Sequence, residues 1–251
     1  MDSWSQRRRV IYAVIFTAVI VAVVAVIYLI FFYQKPSCFD NVRNGGEAGV
    51  DCGGACSNLC QNAFVSPNVA WSRFEKVAPG MYNVATYIIN PNVDGEAMDV
   101  PYRMVLYDRL GQLITKVEGE VTLPPHRNTL AFKGAVPVGQ SIPERVLFEF
   151  MGKPVWLTKK DGLSTLEISD KNYTETESES SLSIRLKNSG QEGLRSLTVG
   201  VVLYDREGNV RGFSKTSVDE IPALSSVVTP FTWLSTRNGQ VVSIEVLPVS
   251  E

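Results

Sequence analysis

The stretch Val105-Leu106-Tyr107-Asp108-Arg109-Leu110-Gly111-Gln112 returns as Val202-Leu203-Tyr204-Asp205-Arg206-Glu207-Gly208-Asn209, 97 residues further on. In both copies an apolar, β-branched run closes on Leu-Tyr-Asp and then on a glycine. That pattern is a strand ending in a tight turn. The glycine reaches positive φ without steric cost, and the aspartate accepts N–H bonds from the turn backbone. The neighbourhood repeats in the same order. Tyr87-Ile88-Ile89-Asn90 corresponds loosely to the segment from Ile184 to Asn188. Leu123-Pro124 corresponds to Ile221-Pro222 at a shift of 98, and Phe148-Glu149-Phe150 to Ile244-Glu245-Val246 at a shift of 96. Four landmarks at nearly one spacing mark a duplication. Recurrence in both copies assigns Tyr107, Asp108, Tyr204 and Asp205 to the fold rather than to chemistry.

Working outward, the β-rich runs are Asn83 to Asn90, Tyr102 to Tyr107, Thr198 to Tyr204 and Val241 to Leu247, each bounded by turn residues. Past the N-terminal apolar run, no window keeps a helical period for more than about two turns. The expected fold class is all-β: two tandem β-sandwich domains, 62–158 and 159–251, of about 95 residues each, a size that suits seven strands. Their joint at 158–162 (TKKDG) is short and polar, with no apolar stretch to fuse the cores. Two separately stable modules in a semi-rigid rod are expected, with Leu106 and Leu203 in equivalent core positions.

A strand ending in Leu-Tyr-Asp, a glycine turn and a proline-bearing strand edge together resemble the FxLYD-type domains and their relatives among Ig-like sandwiches. The match is partial, because Met104 or Val105 and Val201 or Val202 stand where that family has phenylalanine. The resemblance implies a secreted or surface-facing binding or spacer module without catalytic residues.

Ahead of the duplication, Val10 to Tyr33 contains no charged side chain. As a helix it is roughly 36 Å long, enough for a hydrocarbon core of about 30 Å. Tyr12 and the Tyr28–Tyr33 end fall where amphipathic rings meet headgroups. We read 10–33 as a transmembrane helix and 1–9, which ends in Arg7-Arg8-Arg9, as a cytoplasmic tail too short for a domain. A cleaved signal peptide is the competing reading; the run is long for one, and no A-x-A-like site follows it. The residues before Cys38 also lack a lipoprotein cleavage pattern. The expected location is the cell membrane, with the C-terminal domains extracellular or periplasmic.

Between anchor and duplication, 34–61 holds all four cysteines, Cys38, Cys52, Cys56 and Cys60, in a Gly-, Asn- and Asp-rich segment. An even count facing outward reads as two disulfides of undetermined pairing. A four-thiolate metal site competes, but the C-x3-C-x3-C spacing is looser than a zinc knuckle and no histidine is near. The segment resembles a short extracellular motif of the form C-x-D-G-x-x-N-G-x-E-x-x-x-D-C-G-G-x-C, matched by Cys38, Asn44, Gly45, Glu47, Asp51, Cys52, Gly53, Gly54 and Cys56. Asn41 replaces the glycine after Asp40. The resemblance implies an outer-surface location. Asp40, Asn44, Glu47 and Asp51 are weak calcium candidates, since oxygen ligands on tight turns suit that ion. Val42 sits at a ligand position of an EF-hand-like loop, and Asn and Asp make turns without any metal.

Little else points to chemistry. His126, the only histidine, lies in the polar loop Leu123-Pro124-Pro125-His126-Arg127. No phosphate loop or HExxH motif occurs. Asp94, Glu96 and Asp99 read as a solvated turn, and Glu175, Glu177 and Glu179 as a polar sheet edge. Asn172-Tyr173-Thr174 is a glycosylation sequon, relevant in a eukaryotic host. Segment 62–160 has 11 Lys/Arg against 9 Asp/Glu, and 161–251 has 8 against 13. No basic run suggests nucleic acid. No catalytic residue and no cofactor are assigned. The expectation is a membrane-anchored surface protein that presents two modules to a protein partner on the outer face, for binding, adhesion or envelope structure. An accessory subunit of a transport, secretion or pilus-like complex is the alternative. A hydrolase with an unrecognised site comes last.

Overall fold

The computed structural model describes residues 3–31, 35–57, 60, 64–159 and 162–250. The expected aromatic anchor at Tyr33 and the joint residues Lys160 and Asp161 lie outside the described residues. The chain divides into two compact units, 1–55 and 56–251.

The first unit opens with helix α1 (Ser3–Phe31). Its span Arg7–Tyr28 has a mean hydropathy of 3.1 and none of it is buried. The hydroxyl of Thr17 donates to Ala13 O at 2.8 Å, so this side chain is satisfied within the helix. Arg8 sits over the Trp4 ring, 3.7 Å from its centroid. After the helix come the tight turns of the cysteine segment.

The second unit is built from strands. The first sandwich contains β1 (Asn68–Ala78), β2 (Met81–Ile89), β3 (Gly95–Tyr107), β4 (Leu113–Leu123), β5 (Asn128–Pro137), β6 (Arg145–Phe150) and the short β7 (Leu157–Thr158). The second contains β8 (Leu166–Glu175), β9 (Ser180–Asn188), β10 (Leu194–Tyr204), β11 (Val210–Ile221), β12 (Ser226–Trp233) and β13 (Ser243–Ser250). In the first, sheet β1-β2-β5 covers sheet β4-β3-β6, with β7 added to the start of β3. In the second, β8-β9-β12 covers β11-β10-β13. The strand orders correspond one to one, so the duplication read from sequence is a duplication of topology. Among the described residues the expected seven strands hold for the first copy only with the two-residue β7 included; the second has six.

Alternation explains the packing. Tyr102, Met104 and Leu106 of β3 point inward with Val84, Ile88, Val121 and Leu123. Val199, Val201 and Leu203 of β10 point inward with Leu182, Ile184, Leu186, Phe231 and Trp233. Leu106 and Leu203 are both fully buried, as expected of equivalent positions. The strand interiors are β-branched and aromatic, so each strand keeps an apolar face every second residue.

The landmark turns are superposable in their bonding. Asp108 N donates to Gln112 O at 3.0 Å, and Asp205 N to Asn209 O at 3.0 Å. Oδ1 of Asp108 accepts from Leu110 N and Gln112 N; Oδ1 of Asp205 accepts from Glu207 N and Asn209 N. Gly111 and Gly208 have φ of 77° and 80°, a region that glycine enters without penalty. A second repeated device follows β2 and β9. The buried Asn90 donates to Gly95 O and Pro124 O, and the buried Asn188 to Ile221 O and Glu192 O. Each asparagine ties a strand end to the proline corner behind β4 or β11.

The expectation of a rod with separate cores is not met. A third apolar cluster joins the copies: Ala85, Tyr87 and Leu130 of the first with Val202, Phe213 and Leu247 of the second, flanked by Trp71, Phe132, Tyr204 and Val210. The outer face of β1-β2-β5 carries the outer face of β11-β10-β13. The reason lies in side chains that alternate away from the two inner cores yet remain apolar. Their burial stabilises the pair by about 25 cal/mol per Å² of apolar surface.

Candidate functional site: the seam, the open sheet face and the cysteine segment

The seam between the sandwiches is held by polar groups as well as rings. Trp71 lies 5.5 Å from Tyr87 and 6.1 Å from Phe213, ring centre to ring centre, and Phe132 meets Phe213 edge-on at 6.3 Å. Glu245 of β13 accepts from both Tyr87 Oη (2.7 Å) and Tyr204 Oη (2.9 Å), one tyrosine from each copy. Asn128 Nδ2 donates to Tyr87 Oη at 2.6 Å. Burial first, then the Glu245 carboxylate, pushes both phenols well above their ordinary value of 10.0. Further along, Arg237 of the second copy forms an ion pair with Glu75 on β1, with side chains only 10% and 14% exposed. Desolvation raises the Glu75 carboxyl above its usual range, against the opposing pull of Arg237. Glu175 accepts from Thr236 Oγ1 and Arg237 N, so this member of the expected polar edge is a clamp for the loop that carries Arg237.

At Gly200 a Cβ would come within 3.3 Å of Leu130 Cβ, so the glycine lets β10 approach β5 closely. Beside it is a polar cavity of about 200 Å³ lined by Asp99, Glu120, Thr122, Thr129, Thr198 and Lys215. Thr198 is buried and its hydroxyl has no partner.

Away from the seam, the outer face of β4-β3-β6 is open. Its rows are set by register: Leu113, Tyr107 and Arg145; Lys116, Val105 and Leu147; Glu118, Arg103 and Glu149. Arg145 stacks on Tyr107, 5.2 Å from the ring centre. Arg103 reaches Glu118 at 2.8 Å and Glu149 at 3.2 Å. Leu110, Leu113 and Leu147 are 82%, 52% and 49% exposed.

In the cysteine segment the four calcium candidates do come together, and the oxygens of the three carboxylates, Asp40, Glu47 and Asp51, meet N–H groups. Asp51 accepts from Asp40 N and Asn41 N at 2.9 Å. Asp40 accepts from Asn44 Nδ2 (2.8 Å) and Val42 N (2.9 Å). The Asn44 amide first, and the Val42 N–H next, hold the Asp40 carboxyl below its ordinary range. Glu47 accepts from Asp51 N at 3.1 Å. These carboxylates act as turn caps, the role their Asn- and Asp-rich context allows. All four cysteines are disulfide-bonded, which leaves no thiolate for the metal reading. The Asp-Cys-Gly-Gly run is fixed by backbone geometry. Gly54 has φ of +61°, and a Cβ there would lie 2.1 Å from Gly46 O.

Other sequence candidates fall as follows. His126 is exposed in its turn, with φ of 50°. Glu96, expected in a solvated turn with Asp94 and Asp99, is instead buried at the start of β3, with Lys159 Nζ at 2.8 Å from its carboxylate. The expectation failed because β7 folds Lys159 back over it. Asn172 of the sequon is exposed on β8, an edge strand. Sequence reasoning missed the seam pairs Tyr87–Glu245 and Glu75–Arg237, whose members lie far apart in the chain. One signal was there: Thr198 to Leu203 (TVGVVL) is an unbroken uncharged run, the mark of a strand buried on both faces.

No family model matches the chain, and no curated protein matches it. Solved structures overlap it weakly. A β-glucuronidase of Bacteroides uniformis is 14% identical, with 69% of this chain and 25% of that one covered at a TM-score of 0.25. Red sea bream transglutaminase is 10% identical, with 74% and 32% covered at 0.24. A β-glucuronidase of glycoside hydrolase family 2 is 9% identical, with 87% and 29% covered at 0.22. The chain thus spans about a quarter to a third of the length of these structures. At such scores the likenesses carry no argument about activity.

Proposed function

We propose that this chain is a single-pass, membrane-anchored surface protein that presents a fused pair of Ig-like sandwiches for protein binding. The observation that carries the reading is the span Arg7–Tyr28, with its mean hydropathy of 3.1 and none of it buried. A helix of that length and composition pairs its own backbone groups and suits lipid. The disulfide-bonded cysteine segment supports an oxidising outer compartment. Arg7, Arg8 and Arg9 favour an orientation with the sandwiches outside. Several polar groups buried at the seam pair with one another, Tyr87 and Tyr204 with Glu245 and Glu75 with Arg237, which favours a structural role for them. Such pairing fixes the geometry of the seam. The open face of β4-β3-β6 supplies apolar, aromatic and mixed-charge surface on a rigid support.

The test is alkaline carbonate extraction of the membrane fraction, followed by intact-mass analysis. The full chain should stay with the membrane and retain its first 31 residues. A soluble product that begins beyond Phe31 would reassign α1 as a cleaved signal.

A further inference from the structure

The polar cavity beside Gly200, of about 200 Å³, is walled by both sandwiches. The first supplies Asp99 from β3, Glu120 and Thr122 from β4, and Thr129 from β5; the second supplies Thr198 and Lys215. Strand alternation aims the second pair. Val199 faces the inner core of its own sandwich, so Thr198 beside it turns to the seam. Lys215 lies two residues beyond Phe213 on β11, on the seam side of that strand. Thr122, Thr129 and Thr198 are all buried, and the Thr198 hydroxyl has no hydrogen-bond partner in the chain. A buried hydroxyl that bonds to nothing weakens the fold and asks for a partner from outside it. Asp99 and Glu120 form an exposed lip. Asp99 sits in the bulge between Ala97 and Val100, with φ of 50°, and a bulge re-aims a side chain out of the strand's regular alternation.

We infer that this cavity binds a neutral, polyhydroxylated molecule of monosaccharide size, held by groups from both sandwiches. Volume sets the size. A cavity of about 150 Å³ takes one benzene ring, so one of about 200 Å³ takes a six-membered ring with its substituents. The lining sets the chemistry. The carboxylates of Asp99 and Glu120 only accept hydrogen bonds, the ammonium of Lys215 only donates, and the threonine hydroxyls do both. A ligand whose own groups both donate and accept matches that mixture, and hydroxyls are such groups. Val121 and Val249 add apolar wall for ring C–H groups. A charged ligand of either sign would sit beside a like charge, an anion beside Asp99 and Glu120 and a cation beside Lys215. A metal ion fits less well still. Among the described residues Asp99 and Glu120 belong to no group of three acidic, histidine or cysteine ligands within coordinating reach of one another. The inference goes beyond the protein-binding role and does not rest on it.

Titration calorimetry of the full chain, in micelles of a detergent without a sugar headgroup, tests this with glucose, galactose and mannose as probes. At least one hexose should bind saturably, at one site per chain. It should also raise the thermal midpoint, because a ligand held only by the folded state stabilises that state. Thr198→Val keeps the side chain's shape and removes its hydroxyl; Glu120→Ala removes an acceptor at the exposed lip. Each should weaken hexose binding by about tenfold, the loss of one hydrogen bond to the ligand. Without hexose, neither variant should unfold below the wild type, which separates lost binding from lost folding. Galacturonate and glucosamine should bind more weakly than the neutral sugars. Failure of all three hexoses to bind overturns the inference, as does binding that both variants leave unchanged, or tighter binding of a charged sugar. A crystal structure grown with the hexose and holding ordered water only in the cavity overturns it as well. None of these results touches the anchored reading, which carbonate extraction and intact mass decide separately.

Discussion

Phe213→Ala is the sharpest probe of the seam. Phe213 is 2% exposed on β11, and its ring meets Trp71 and Phe132 of the other sandwich at 6.1 and 6.3 Å. Truncating a buried phenylalanine costs about 3–5 kcal/mol, from lost transfer free energy and the cavity left behind. That is a large part of a domain's stability of about 5–15 kcal/mol. In a body of this size each kcal/mol moves the midpoint by roughly 2–4 °C, so a fall of roughly 6–20 °C is expected. If the seam fuses the sandwiches, calorimetry of the full chain should show one cooperative transition for both. Leu106→Ala and Leu203→Ala, at inner-core positions in opposite copies, should each lower that same transition, by about 2–5 kcal/mol. Two wild-type transitions, with Phe213→Ala moving neither by more than about 0.5 kcal/mol, would refute the fused seam and restore two independent modules.

Other consequences follow from single groups. Because burial and Glu245 raise the phenols of Tyr87 and Tyr204, the folded state favours their protonated forms. Their stabilising contribution is complete below pH 10.0, the ordinary tyrosine value, and is lost as pH rises through the folded values. Spectrophotometric titration should show both ionising late, together with Tyr102, which burial pushes up to about 12. Glu245→Gln should return Tyr87 and Tyr204 toward the ordinary range. Thr198→Val, which removes a buried hydroxyl without a partner, should stabilise the chain by about 1 kcal/mol in chemical denaturation. Gly54→Ala combines a positive φ with a carbonyl clash and should block native pairing of the cysteines. Alkylation without reductant should then label thiols that are protected in the wild type.

Local chemistry made much of this legible from sequence. The Asp-x-x-Gly turns read correctly because the aspartate and the glycine each have one job there, and the structure repeats the same bonds in both copies. Leu106 and Leu203 read correctly because alternation places them opposite a polar or outer neighbour. The long apolar helix was legible from length and lack of charge. The seam was not. It depends on which outer faces are apolar, and the copies differ there by a few side chains: Lys116 against Phe213, Arg103 against Gly200, Glu149 against Leu247. A short polar joint suggested independence, but two faces meeting in space decide cooperativity, not the linker between them. Glu96 was misread for the same reason, since its partner Lys159 arrives from 63 residues away. The calcium candidates were grouped correctly. Their geometry was not readable, because the N–H donors that meet those carboxylates belong, the Asn44 side-chain amide apart, to the backbone.

Protease added to intact cells tests the account most directly. With Arg7 to Arg9 inside and the sandwiches outside, digestion should remove the 56–251 body while a fragment that contains α1 stays in the membrane. Full protection of that body in intact cells, with cleavage only after lysis, would contradict the proposed presentation at the surface.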